Sequence, residues 1–359
     1  MKKFFLIPAI AVFATLFSAC SNDEPTPPPA NDPETEGLFI INQGNWMAGN
    51  SSLSYYTPDD DTVEQEVFFR ANDARLGDMA QSMTIDSKNN GWIVVNNSNV
   101  IFAIDVDTYK EKGRITDGIV SPRYIHFVSP TKAYVSQLYT NTIAVVDPTT
   151  YAVTGYITVP GMEASTGSTE MMVQAGKYVY VNCWSYNSTI IKIDTTSDTV
   201  VASLEVGIQP KAITLDADNN LWVISDGGYY GAPAYGNPTL VKVNTATFSI
   251  DLSMEMPIDS NIVSVVTNGD GTQLYWICDD VYTMPIGSTS LPAEPIIKSN
   301  QRFFNGLTVN PKNGDIYVAD AVDYVQLGVV HRYNADGEFV SDIPAGLLPG
   351  GFCWKLGHE

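Results

Sequence analysis

Ile104-Asp105-Val106-Asp107-Thr108, Val146-Asp147-Pro148-Thr149-Thr150, Ile193-Asp194-Thr195-Thr196 and Val243-Asn244-Thr245-Ala246-Thr247 repeat one phrase: an apolar strand end, then Asp or Asn, then Thr. The copies lie roughly 40 to 50 residues apart, the length of a four-stranded propeller blade. At 359 residues the chain could hold two or three ordinary domains. The repeat argues instead for one all-β domain, a seven-bladed β-propeller.

Blade two sets the template, with strands at 79–86, 91–97, 100–106 and 112–116, innermost first. Blade three follows at 123–128, 133–137, 142–146 and 153–159. Blades four to seven span 170–206, 211–256, 262–297 and 306–343. The leading stretch, 38–69, has only three strands. Its inner strand is expected from 351–355, where Phe352 and Trp354 alternate, so that the N- and C-terminal strands pair in one blade and close the ring. Val, Ile, Thr and aromatic residues suit pleated strands, and almost no helix is expected.

The first residues read as an address. Lys2 and Lys3 precede an apolar run too short to span a bilayer, and Ser18-Ala19 puts small residues before Cys20. That pattern resembles a lipobox, in which Cys20 becomes the lipidated first residue. The division is therefore 1–19 lipoprotein signal peptide, 20–36 lipidated Cys20 and a Pro-rich tether, and 37–359 propeller. The acidic pair Asp23-Glu24 resembles an export signal to the outer face of the outer membrane, giving a cell-surface, lipid-anchored protein that meets the membrane only through its anchor. Cys183, Cys278 and Cys353 are expected as small buried apolar residues, too far apart to bridge.

A net charge of −21 argues against a nucleic-acid surface, which needs clustered Lys and Arg. No Walker loop, dinucleotide fingerprint or zinc-type Cys pair occurs. His126, His331 and His358 are the only histidines, His126 within an inner strand, so general-base capacity is small. No catalytic residue, cofactor or metal site is assigned. Asp279-Asp280 could hold Ca²⁺ or accept hydrogen bonds from a ligand, although adjacent acids at a strand end ordinarily cap a turn. Asp59-Asp60-Asp61 lacks EF-hand spacing and reads as a turn.

In a propeller the second-to-third strand loops and the blade-to-blade links share one face. The unusual loops fall there: 43–50 with Trp46, 96–99 with Asn97, 137–141 with Gln137, Tyr139 and Asn141, and 183–187 with Trp184 and Tyr186. The longest, 226–237, carries Tyr229 and Tyr235, and 320–326 carries Tyr324. Arg302 and Phe303 precede an inner strand. Aromatic planes with amide donors and acceptors suit a large ligand with an apolar body and an amide-rich rim. At the inner-strand starts, Arg123, Glu170, Lys211 and Asn305 could orient a polar ligand or pair with one another; both readings stay open. The candidate ligand-binding set is Trp46, Asn97, Arg123, Gln137, Tyr139, Asn141, Glu170, Trp184, Tyr186, Tyr229, Tyr235, Asp279, Arg302, Phe303 and Tyr324.

With the strands placed, Gly37-Leu38-Phe39-Ile40-Ile41-Asn42-Gln43-Gly44-Asn45-Trp46, Ser51-Ser52-Leu53-Ser54-Tyr55-Tyr56, Leu76-Gly77-Asp78-Met79-Ala80-Gln81-Ser82-Met83 and Val94-Val95-Asn96-Asn97-Ser98 resemble the YncE-like propeller lipoproteins of gut bacterial surfaces, in particular the BtuG-like cobalamin-binding group. The resemblance covers seven blades in layout, with its specific motifs in the first two. It implies capture of cobalamin (vitamin B12) and other corrinoids and their transfer to a BtuB-type TonB-dependent outer-membrane transporter. A corrinoid offers an apolar plane for Trp and Tyr and amide arms for Asn, Gln and Asp, without protein coordination of cobalt. Two other classes remain: a glycan-binding or adhesin propeller, and a propeller lyase or hydrolase using Asp279 or Glu170 as acid or base.

Overall fold

The computed structural model describes, apart from Met1, residues 35–357. The proposed signal peptide, Cys20, nearly all of the tether and His358 lie outside the described residues. The first strand, Thr35–Asn42, begins just inside the stretch assigned to the tether. The strands form seven antiparallel sheets, six of four strands and one of three, in the order of a seven-bladed propeller. No helix among the described residues is long and apolar enough to cross a membrane.

The repeated phrase closes the hairpin between the third and fourth strands of a blade. Asp147 Oδ1 accepts the Thr149 amide at 2.8 Å and its hydroxyl at 2.7 Å. Asp105, Asp194 and Asn244 cap their own turns in the same way. These side-chain acceptors satisfy amides that a tight turn leaves without partners. Four residues after each capping residue the chain enters the left-handed region, at Tyr109, Tyr151, Asp198 and Phe248, and each hairpin then carries a bulge.

That left-handed residue also ties its blade to the preceding one. Tyr109 packs edge-on against Phe39 at 6.1 Å, and Tyr151 and Phe248 lie tilted against Trp92 at 5.7 Å and Tyr180 at 5.8 Å. In blade four the tie is polar: Asp198 accepts bonds from Lys132, at 2.7 Å, and from the Tyr134 hydroxyl. An aromatic pair contributes about 0.5–1.5 kcal/mol beyond its burial.

The core is divided among the interfaces between blades. Trp92 and Val94 face Ile125 and Val135 of blade three, whereas Ile93 and Val95 face Phe39 and Ile41 of blade one. In blade four, Val179 and Val181 turn to blade three and Tyr180 to blade five. The second strands are therefore apolar on both sides, and Trp92-Ile93-Val94-Val95 reads as a continuous run instead of an alternation. Two of the buried indoles are pinned by the turn before them. Asp86 accepts the Trp92 Nε1–H at 3.0 Å along with the Lys88 and Asn90 amides, and Asp216 does the same for Trp222 at 2.9 Å.

Closure follows the expected route. Thr35–Asn42 pairs with Pro349–Leu356 in the register Leu38↔Trp354, Phe39↔Cys353 and Ile40↔Phe352. The Trp354 indole donates to Thr308 Oγ1 at 2.9 Å and meets Tyr317 edge-on at 5.3 Å, fastening the last strand to blade seven.

One expectation needs correction. Blade six has three strands, Ile262–Thr267, Gln273–Cys278 and Asp280–Pro285. Pro285, Pro292 and Pro295 cannot donate to a ladder, and the outer position is filled only by a bridge from Ile297 to Val281. The leading stretch holds its three expected strands, Thr35–Asn42, Ser52–Thr57 and Thr62–Glu64. Its last part lies in a helix, Val67–Asn72, whose Phe68 packs on Phe102 of blade two at 5.0 Å. Cys183, Cys278 and Cys353 are free thiols.

Removal of residues 350–359 should abolish the single cooperative unfolding transition, as followed by circular dichroism on heating, because it opens the ring; an unchanged melting curve would contradict closure by this strand. Burial pushes the Asp86 carboxyl up, but the bonds from Asn90, Trp92 and Lys88 outweigh it and hold the group below the usual carboxylate range. Its stabilisation is thus full above about pH 4 and is lost as pH falls through the depressed folded value. Asp86→Ala should cost about 1–3 kcal/mol in urea unfolding at pH 7, with the gap to the parent narrowing below about pH 4.

Candidate functional site

The mouth loops of blades four, five and six surround a cleft of about 460 Å³, lined by Trp184, Tyr186, Gln209, Lys211, Asp226, Tyr229, Tyr230, Asp259 and Asn261 among others. Its shape comes from the longest loop, which doubles back through a Gly228–Tyr235 bridge and a Gly236 N–H bond to the Gly227 carbonyl at 2.9 Å. Gly227 has φ +79°, and a Cβ there would lie 2.2 Å from the Gly236 oxygen, so only glycine permits this fold-back. The tip lifts Tyr229 and Tyr230 into solvent, 54% and 88% exposed.

The aromatic wall is held by its polar ends. The Tyr186 and Tyr229 hydroxyls are 3.0 Å apart, the Trp184 Nε1–H donates to Asp226 at 2.9 Å, and the Tyr235 hydroxyl donates to Asp259 at 2.6 Å. Tyr230 and Tyr235 meet edge-on at 6.1 Å. The hydrogen bond with Tyr186 pushes the Tyr229 phenol up, and the bond to Asp259 does the same for Tyr235. Both phenols therefore remain neutral donors and acceptors around pH 7.

Beneath this wall, a belt of polar contacts joins the inner strands. Arg123 Nε bonds the Glu170 carboxylate at 2.9 and 3.0 Å, and its Nη1 donates to Gln81 at 2.6 Å. Lys211 donates to the Ile262 carbonyl at 2.6 Å, Asn261 to that of Phe304 at 3.4 Å and Asn305 to that of Pro349 at 3.0 Å. Burial pushes the Glu170 carboxyl up against the opposing pull of Arg123, and burial pushes the Lys211 ammonium down. Of the two readings left open, mutual pairing describes Arg123 and Glu170, whereas Asn305 is spent on the Pro349 carbonyl.

Several candidate residues are therefore spoken for within the protein. Gln137 is buried, its Oε1 taking the Val120 amide at 2.7 Å and its Nε2 donating to Thr142 at 3.1 Å. Placed at the end of a second strand, it fixes the next loop and offers no free amide. Asn97 donates to Asp78. Asp279 accepts the Asn261 amide at 2.9 Å and Asp280 the Ser299 amide at 2.7 Å, so the two acids cap separate turns. Among the described residues no group of three His, Cys, Asp or Glu is placed to hold a metal ion. Arg302 turns away from the cleft to the Tyr333 hydroxyl at 3.1 Å, in a slot of about 300 Å³ between blades six and seven. His126 contacts Gln174 at 3.0 Å, a satisfied core histidine.

The remaining candidates form no single site. Phe303 and Tyr324 pack together at 5.8 Å, and Asn45 donates to the Tyr324 carbonyl at 2.7 Å, linking this pair to the loop bearing exposed Trp46. This second aromatic patch belongs to blades seven and one. Tyr139 is exposed but, like Asn141, does not line the cleft. The structure thus gathers Trp184, Tyr186 and Tyr229, with Tyr235 braced behind them. It adds Tyr230, Gln209, Asp226, Asp259 and Asn261, and it brings in Lys211 from among the inner-strand starts. Tyr230 was legible beside Tyr229 in the longest loop, whereas Asp259 and Asn261 sit in a link with no aromatic residue to draw notice.

Solved structures with this fold include a quinonprotein alcohol dehydrogenase-like protein from Bacteroides thetaiotaomicron, 15% identical, with a TM-score of 0.67 over 90% of this chain and 79% of its own. The hydrazine synthase of Kuenenia stuttgartiensis is 18% identical, with a TM-score of 0.57 over 76% and 89% of the two chains. A streptogramin B lyase is 14% identical, with a TM-score of 0.60 over 77% and 87%. At these identities the likeness is one of fold, and it spans proteins of varied function. No curated protein is significantly similar in sequence to this chain. Residues 36–347 match the family model described as "Domain of unknown function (DUF5074)", and the chain belongs to that family of propeller proteins.

Proposed function

We propose that this propeller is a binding protein that captures cobalamin and other corrinoids at its mouth and passes them to a BtuB-type TonB-dependent transporter, held at the cell surface by lipidated Cys20. The observation that carries the reading is the exposed tyrosine wall of blades four and five, with Trp184 behind it, over a polar floor. Tyr and Trp offer wide apolar planes with few rotamers to freeze, which suits a macrocycle, and Asn261, Gln209 and the tyrosine hydroxyls supply partners for amide arms. The cleft lining contains no histidine, and its two carboxylates, Asp226 and Asp259, are bonded to Trp184 and Tyr235. That arrangement favours holding a ligand over turning one over. The sequence resemblance in blades one and two, together with the lipobox-like start, supports the corrinoid class, the transporter as partner and the surface location.

Calorimetry of the full-length protein in detergent with cyanocobalamin should give one-to-one binding. Trp184→Ala and Tyr229→Ala should each weaken it about tenfold or more, as expected for aromatic anchors worth at least ~1.4 kcal/mol. Absence of heat with cyanocobalamin, or binding of an oligosaccharide panel in its place, would overturn the corrinoid reading and favour a glycan-binding propeller.

A further inference from the structure

The cleft has a feature that an apolar macrocycle alone does not call for. Lys211 is the only cationic side chain lining it. Its ammonium has three N–H donors, and the structure accounts for one, to the Ile262 carbonyl at 2.6 Å. Among the described residues it forms no ion pair. The two carboxylates whose charge reaches it, Asp226 and Glu170, are committed elsewhere. Asp226 accepts the Trp184 indole N–H at 2.9 Å and the Gly228 amide at 2.9 Å, and both Glu170 oxygens face Arg123. A partly desolvated ammonium with two donors left over, lining a cleft, has the chemistry to hold an oxyanion even in an acidic chain.

Size narrows the choice. A cleft of about 460 Å³ is too small for a whole corrinoid but adequate for one appendage. Resting on the corrinoid reading above, we infer that Lys211 is a specificity-determining residue that takes the phosphodiester of the ligand's nucleotide arm, while the macrocycle lies across the exposed faces of Tyr186, Tyr229 and Tyr230. Asp226 and Asp259 would repel the same phosphate from either side, so its position is confined to the lysine.

The test compares cobalamin with dicyanocobinamide, which has the same macrocycle but lacks the phosphodiester and nucleotide. Titrations of the full-length protein and its Lys211→Met and Lys211→Arg variants would be followed by calorimetry and by the corrin absorption band. Lys211→Met should weaken cobalamin binding about 10- to 100-fold, the range for a charge-assisted hydrogen bond, while leaving dicyanocobinamide unchanged, and Lys211→Arg should retain most of the preference. Equal loss for both corrinoids, or no loss for either, would overturn the inference with the corrinoid reading intact. If Lys211→Met does not fold, the parent protein decides the matter, since equal affinity for the two corrinoids would likewise overturn it. If neither corrinoid binds, the corrinoid reading fails separately. In that case 4-nitrophenyl phosphate and 4-nitrophenol become the probes: a preference for the phosphate that Lys211→Met removes would sustain an oxyanion seat, and equal binding would exclude one.

Discussion

Every blade of this protein buries both faces of its sheet against neighbours, and that requirement governs the rest of the structure. A sheet with Trp92 on one side and Ile93 on the other cannot stand at the end of a row, because one of those faces would meet water. A ring has no end. The pairing of Thr35–Asn42 with Pro349–Leu356 therefore completes the burial of Leu38, Ile40 and Tyr56 against Tyr317 and Val330 of blade seven, besides adding a strand to blade one.

The ties between blades use one position of the repeat with different chemistry. Tyr109, Tyr151 and Phe248 reach back with rings, and Asp198 reaches back with a carboxylate to Lys132 and Tyr134. Each of these residues adopts a left-handed backbone that its turn requires, and the capping Asp or Asn holds the turn in that form. A motif that looks like a strand terminator in the sequence thus serves as the joint between modules. The face carrying these turns is occupied with holding the ring together, which leaves the other face, with its longer loops, available for ligands.

On that second face the polar groups divide into those consumed by the fold and those left for chemistry. Gln137, Asn97, Arg123 and Glu170 have the right character for ligand contacts and sit near the mouth, but each is bonded to another part of the ring. Lys211 spends one of its three donors on the Ile262 carbonyl, and Tyr186 and Tyr229 bond each other while their rings and that of Tyr230 stay exposed. The contrast has a simple origin. Residues at strand ends lie within reach of the next blade's backbone, whereas the fold-back at Gly227 carries its tyrosines beyond that reach.

The sequence by itself determined the fold class, the number of blades, nearly all strand positions and the closing strand, because each follows from local chemistry repeated at a fixed interval: an apolar strand, a capping Asp or Asn, a Thr. It also located the mouth face, since strand direction alternates along a blade and so decides which loops share a side. It could not separate a free amide from a spent one, or bring Asp259 and Asn261 beside Tyr229, nor did it show that blade six would lack its fourth strand. Those outcomes depend on distances between residues far apart in the chain, and only the tertiary structure, by setting one blade's strand ends against the next, decided them.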